Sequence, residues 1–303
     1  MRNGANSAAS GLILAATGFA VLSIGDATAK TMAGEWPGTA IAFTRYVIGV
    51  VGLGIAVALV EGRKGFAIPH PGLQLLRGIA VSGGTFGVFM GVHVMSLADA
   101  TAIVFTSPML TALISAVFLG ERATRPVWIS TILAFAGVLI VLRPEVSRIG
   151  WAAGYPLIAA VGMATLMVTN RRVAGTASAL AMQFLVALFA TPVLAVVALV
   201  SAGSGIPAFH IAAPDWTILA RCAIIATSGT VGHLLLYLAT TRASAAIIAP
   251  MTYVQLLAAT VYGFILFRSV PDWATYAGAA LIIGGGLYLW RSQRVVTMPE
   301  GTD

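Results

Sequence analysis

Three charges lie inside apolar stretches of this chain: Asp26 and Lys30, four residues apart, and Arg45 in the next stretch. A charge at the centre of a bilayer costs about 2.5–3.5 kcal/mol on insertion scales, so such groups face one another, protein or water, and they mark function by default. Asp26 and Lys30 fall on one helix face by their spacing. They read either as a structural ion pair near the outer interface or as a charge pair that meets an amino or carboxylate group. Arg45 pairs with Asp26, snorkels outward, or touches a ligand.

A second set is aromatic and imidazole. Phe89 and His93 stand at i, i+4 in one stretch, with Phe86 continuing that side; His233 and Tyr237 repeat the spacing 144 positions on. Histidine facing lipid leaves its ring nitrogens unsatisfied, so these faces look into protein or a water-filled cavity. Thr106 and Ser107 flank Pro108, and Tyr253 and Gln255 follow Pro250. Proline removes a backbone donor and frees a carbonyl, which nearby hydroxyls or amides, or a ligand, can serve. Met163 and Met167 share a face and could line an adaptable pocket. Phe86, Phe89, His93, Thr106, Ser107, Met163, His233, Tyr237, Tyr253 and Gln255 are the candidate substrate-binding residues. Asp26, Lys30 and Arg45 are the candidates for a charge pair or for coupling, and Asp26 and His93 are the candidates for binding a proton.

Enzyme signatures are absent. The chain carries no G-x-x-x-x-G-K-[ST] phosphate loop, no H-E-x-x-H and no G-x-S-x-G. Cys222 is the single cysteine, which excludes an internal disulfide and a thiolate metal cluster. No catalytic residue, metal or cofactor is expected.

The elements that position these residues follow from composition. The 303 residues are 59% hydrophobic and 9% charged, where a soluble domain is about 25% charged; mean hydropathy is +0.95. A chain of this length cannot hide so much apolar surface from water, so its solvent is lipid. Hydropathy gives ten spans, at roughly 11–33, 37–60, 73–95, 100–119, 127–143, 151–171, 178–200, 215–239, 245–267 and 273–291, most near the 20 or so residues that cross a bilayer. The net charge of +7 sits in short loops rather than in a basic patch, so it reads as topology and not as nucleic-acid binding. With both termini cytoplasmic, eleven Lys or Arg fall on the inside and four on the outside, the bias the positive-inside rule expects.

The chain repeats. Phe105 matches Tyr253, Pro108 matches Leu256, Glu121 matches Ser269 and Gly137 matches Gly285, all at an offset of 148. The two copies, 1–149 and 150–303, hold five spans each, and an odd number makes the second enter the membrane inverted. Inverted repeats recur in secondary transporters, with the substrate site at mid-depth between the halves. The expected fold is an all-α membrane protein of ten transmembrane helices, arranged as two inverted five-helix repeats around a central cavity.

The run from Ala98 to Glu121, ADATAIVFTSPMLTALISAVFLGE, with Phe43-Thr44-Arg45 and the AGVLIVL run at 136–142, resembles the drug/metabolite transporter superfamily in its ten-helix EamA branch. The second copy departs from it: Phe267-Arg268-Ser269 stands where F-G-E is the pattern, and Leu256 replaces the proline. The stretch from Ala249 to Leu256 is similar to YddG-type aromatic amino-acid exporters. That resemblance implies export of aromatic or other neutral amino acids from the bacterial inner membrane, by a chain for which a monomer suffices and a dimer is possible. The alternative is a multidrug or nucleotide-sugar carrier of the same superfamily. Nucleotide sugars rank lower, because their phosphates demand more cavity cations than Lys30 and Arg45 supply.

Overall fold

The computed structural model describes residues 2–32, 34–94, 101, 103–121, 123–142, 150–268 and 272–295. Among the described residues there is no strand, and ten helices of twelve residues or more follow the ten expected spans. They are α1 (Arg2–Lys30), α2 (Gly38–Val60), α3 (Pro71–Val94), α4 (Ser107–Phe118), α5 (Arg125–Leu142), α6 (Gly154–Arg172), α7 (Ala179–Ala202), α8 (Trp216–Arg242), α9 (Val254–Phe267) and α10 (Trp273–Val295). Among the described residues, six stretches are long and apolar enough to cross a membrane: Ala8–Lys30, Gly38–Val60, Trp151–Arg172, Ala179–Ala202, Trp216–Arg242 and Ala245–Leu266. Shorter apolar helices cover Ser107–Phe118 and Arg125–Ile140. Large apolar side chains such as Leu59, Val117 and Leu199 point outward, as lipid-facing surface does.

The two proline breaks are local. Phe105 and Thr106 form a turn, and α4 restarts at Ser107 with Pro108 in its first turn, where its missing N–H is not needed. The expected ninth span is three pieces: a helical turn at Ala245–Ile248, a 3-10 stretch at Ala249–Tyr253 containing Pro250, then α9. Ser178, Asp215 and Ser244 cap their helices by accepting from the N–H of Ala181, Ile218 and Ile247. Gly120 and Arg268 both take a left-handed backbone, φ 67° and 54°, just after α4 and α9. They are 148 positions apart, so the glycine seat of the first copy is filled by an arginine in the second.

Helices pack in pairs. The most extensive contacts are α1 on α8, α5 on α10, α3 on α6 and α2 on α7. Small residues set the closest approaches, the usual device where lipid is as apolar as the helices. A Cβ on Gly87 would stand 2.4 Å from the Tyr155 carbonyl oxygen, and one on Gly137 would stand 2.5 Å from that of Gly278. The neighbouring glycines differ: Gly83 faces only Ile158, at 3.8 Å, and Gly284 has nothing within 4 Å. Contact between α5 and α10 is reciprocal. Gly137 faces Gly278, Leu281 and Ile282, while Gly285 faces Ser130, Leu133 and Ala134; each set is the other shifted by 148.

Candidate functional site

One turn of α8 meets both α1, beside Asp26, and Arg45 of α2. Gly25, beside Asp26 on α1, packs against Ser228: a Cβ there would lie 2.9 Å from the Ser228 Oγ. Arg45 on α2 reaches the next residue, its Nη1 3.8 Å from where a Gly229 Cβ would sit. Ser228 and Gly229 lie midway along α8. The Asp26 carboxylate and the Arg45 guanidinium are within electrostatic reach without a hydrogen bond between them. α1 and α2 both pack on α8 and scarcely touch each other.

The partner of Asp26 is neutral. Its Oδ2 accepts from Gln255 Nε2 at 2.6 Å, and Ser23, one turn earlier, donates to the Gln255 carbonyl oxygen at 3.0 Å. The i, i+4 spacing therefore does not decide the partner of Asp26; α9 does, by lying against α1. The Arg45 Nη2 donates to Tyr46 Oη at 3.3 Å and its guanidinium lies 4.8 Å from that ring's centre. A cleft between α2, α7 and α8 runs on from Arg45 past Gly49, Gln183, Thr230 and His233. Gln183 donates to the His233 carbonyl oxygen at 3.2 Å, holding α7 against α8.

Near the ends of α6 and α8 lies a buried cluster. Arg77 is fully buried; its Nε donates to Asn170 Oδ1 at 2.9 Å and its Nη1 to Gln74 Oε1 at 2.5 Å and to the Met182 carbonyl oxygen at 3.3 Å. Its guanidinium lies 5.8 Å from the centre of the Tyr237 ring, and its Nη2 has no partner among the described residues. All these acceptors are neutral. Beside this cluster, Glu121 accepts from Arg171 Nε at 3.1 Å and from Ser115 at 3.2 Å, while Arg171 also donates to the Thr240 carbonyl oxygen at 2.8 Å. Glu61 accepts from Ser178 at 2.5 Å.

At the opposite end of α8, Arg221 bonds the Glu35 carboxylate and the Thr31 carbonyl oxygen. That guanidinium holds the Glu35 carboxyl below the usual carboxylate range. The Ile218 N–H and the Thr217 hydroxyl lower Asp215 in the same way.

The remaining candidates separate. His233 lines the cleft. Tyr237 is buried beneath Arg77, and Tyr253 is buried with its hydroxyl on the Phe105 carbonyl oxygen. Thr106 is half-buried and donates to the Ile103 carbonyl oxygen at 2.6 Å, and Ser107 is buried. Phe86 meets Tyr155 edge to face at 6.2 Å, and the Met163 sulfur packs beside Gly84. Lys30 ends α1. The side chains of Phe89 and His93, and Ser269, lie outside the described residues. Gln74 and the Glu35–Arg221 contact were not singled out by sequence reasoning; Gln74 and Arg77 at i, i+3 carry the signal that finds the first.

The EamA-like transporter family matches twice, over residues 9–143 and 150–291. An S-adenosylmethionine uptake transporter of Rickettsia bellii is 26% identical, aligned over 91% of this chain and 94% of its own. A riboflavin transporter of Brucella anthropi is 27% identical, over 92% and 97%. A pseudopaline exporter, CntI, of Pseudomonas aeruginosa is 27% identical, over 94% and 97%. One crystal structure superposes with a TM-score of 0.77 at 20% identity, covering 95% of this chain and 99% of that one; it carries the fold alone. The expected family is therefore right, while the narrower likeness to YddG-type exporters gains no support from these relatives. With its helices, its apolar outer surface and a family model matched in both halves, this multi-pass membrane protein belongs to the EamA-like transporter family.

Proposed function

We propose that the chain is a secondary transporter of small amphipathic metabolites, working by alternating access between two inverted halves, 1–149 and 150–303. The observation that carries the reading is that two spans bearing opposite charges pack on one turn of α8, Gly25, next to Asp26, against Ser228 and Arg45 against Gly229. Lipid does not tolerate such groups unless they face protein or a polar space. The inversion is supported by the reciprocal contacts of α5 and α10. As residue numbers rise on one helix they fall on the other, so the helices are antiparallel. Helices that are antiparallel copies of each other are related by an axis lying in the membrane plane.

In this reading both termini are cytoplasmic and the membrane is the bacterial inner membrane. Neutral or aromatic amino acids, exported, are the first substrate class, with Gln255 and His233 as the polar groups that meet such a molecule. The relatives extend the class to larger metabolites and to uptake as well as export. Flux of labelled amino acids, S-adenosylmethionine and riboflavin through the purified chain in liposomes, with and without a pH gradient, tests the reading. Movement of at least one of them above protein-free liposomes is expected. Movement of none overturns it.

A further inference from the structure

Among the described residues, Arg45 is the one charge that lines the cleft between α2, α7 and α8. We infer that this cleft is a carboxylate subsite, with the Arg45 guanidinium as its pole and apolar walls for the group next to the carboxylate. The inference rests on the transport reading above for its consequence, a substrate that carries a carboxylate.

Three observations carry it. First, the guanidinium is under-used. Of its five N–H groups one donates, to the neutral Tyr46 hydroxyl, among the described residues. Asp26 does not close it off, because that carboxylate is turned to Gln255 on α9 and does not line the cleft. Arg77 is the contrast within the same chain. It is fully buried, and its Nε and Nη1 are bonded to the oxygens of Asn170, Gln74 and Met182. Arg45 is only half-buried and opens onto empty space.

Second, the wall beside Arg45 can donate as well. Gly229 has no side chain, and a Cβ there would stand 3.8 Å from the Arg45 Nη1, so the guanidinium lies directly on α8. Thr230 comes next and His233 is one turn on, both lining the cleft. A hydroxyl and an imidazole ring can each donate one hydrogen.

Third, the space suits a small head. The cavity volume is about 30 Å³, and one water-sized group needs about 10–15 Å³. That is room for the two oxygens of a carboxylate and not for a ring. Leu53, Val186 and Ile225 complete the wall, so the atoms behind the carboxylate meet apolar surface.

A carboxylate accepts two parallel bonds from the guanidinium fork. The alternatives fit less well. A phosphate group brings more oxygens than the space holds, and an ammonium head would meet Arg45 as a like charge. Among the relatives' ligands, S-adenosylmethionine carries a carboxylate and riboflavin does not.

The test separates binding from flux. The purified full chain is titrated with L-phenylalanine, L-tryptophan and phenylpropionate. The methyl esters of the two amino acids, and phenethylamine, are the analogues without a carboxylate. Affinity is read from the rise of the thermal midpoint with ligand concentration. At least one acid is expected to bind at least about tenfold more tightly than its analogues, since a site built for a polar group rejects the analogue lacking it. Arg45→Gln should bring acid and ester within about twofold of each other, because the fork is gone. Arg45→Lys keeps the charge without the fork and should fall between wild type and Arg45→Gln. A purely structural Arg45 would lower the unliganded midpoint and leave the acid-to-ester ratio as it was, which overturns the inference. The wild-type series needs no variant, so a misfolded variant does not remove the test. Equal binding of acid and ester, or binding of no acid, is enough to sink it. Liposome flux of the same compounds is scored separately. An acid preference without flux keeps the subsite and ends the transport reading; flux without an acid preference does the reverse.

Discussion

Tyr253 donates its hydroxyl hydrogen to the Phe105 carbonyl oxygen at 3.2 Å, and the two rings meet edge to face at 5.8 Å. They are 148 positions apart, the offset of the repeat. Positions that match at this offset touch each other here, and the α5–α10 contact has the same property. Both proline breaks, at Phe105–Thr106 and Ala249–Tyr253, meet at this point.

Tyr253→Phe keeps the ring contact and removes the bond to a buried carbonyl. Loss of about 0.5–1.5 kcal/mol is expected, read as a lower midpoint in denaturant unfolding of the purified protein. Folding and helix content should be unchanged. An unchanged midpoint would mean that the Phe105 carbonyl has found another donor.

Arg77 anchors a cluster of neutral oxygens. Arg77→Ala leaves the side-chain oxygens of Asn170 and Gln74 buried without their donor, at about 1–3 kcal/mol each, so poor expression or a strongly lowered thermal midpoint is expected. Arg77→Lys restores a charge but not the planar fork. It should lie between wild type and Arg77→Ala; a variant as stable as wild type would show that the fork is not needed.

The Glu35–Arg221 contact gives a pH dependence. The folded protein holds the Glu35 carboxyl below its ordinary 4.5, so the contact stabilises the fold fully above that value and is lost as pH falls through the lowered one. The thermal midpoint should drop more between about pH 5 and pH 3 in wild type than in Glu35→Gln. Equal drops in both proteins would place the acid sensitivity elsewhere.

Arg268 holds a left-handed backbone that costs a residue with a Cβ about 1–2 kcal/mol. Arg268→Gly restores the residue that the first copy has at Gly120. The gain is partly offset by the greater freedom of glycine in the unfolded chain, so stabilisation of up to about 1 kcal/mol is expected, seen as a higher unfolding midpoint. A lower midpoint would mean that the arginine side chain contributes more than its backbone costs.

The sequence by itself determined the solvent, the ten helical stretches, the two breaks and the repeat. Lipid imposes long apolar runs, Pro108 and Pro250 mark the breaks in two of them while Pro192 stays inside α7, and these effects are read within a few residues. Only the tertiary structure decided which polar groups meet. Asp26 takes Gln255, 229 positions away, and Arg77 takes Asn170, 93 positions away. Tyr253 turns inward to Phe105 instead of facing open space. Periodicity places a side chain on a helix face, but its partner depends on how two helices cross, and here the small residues that permit close approach set those crossings.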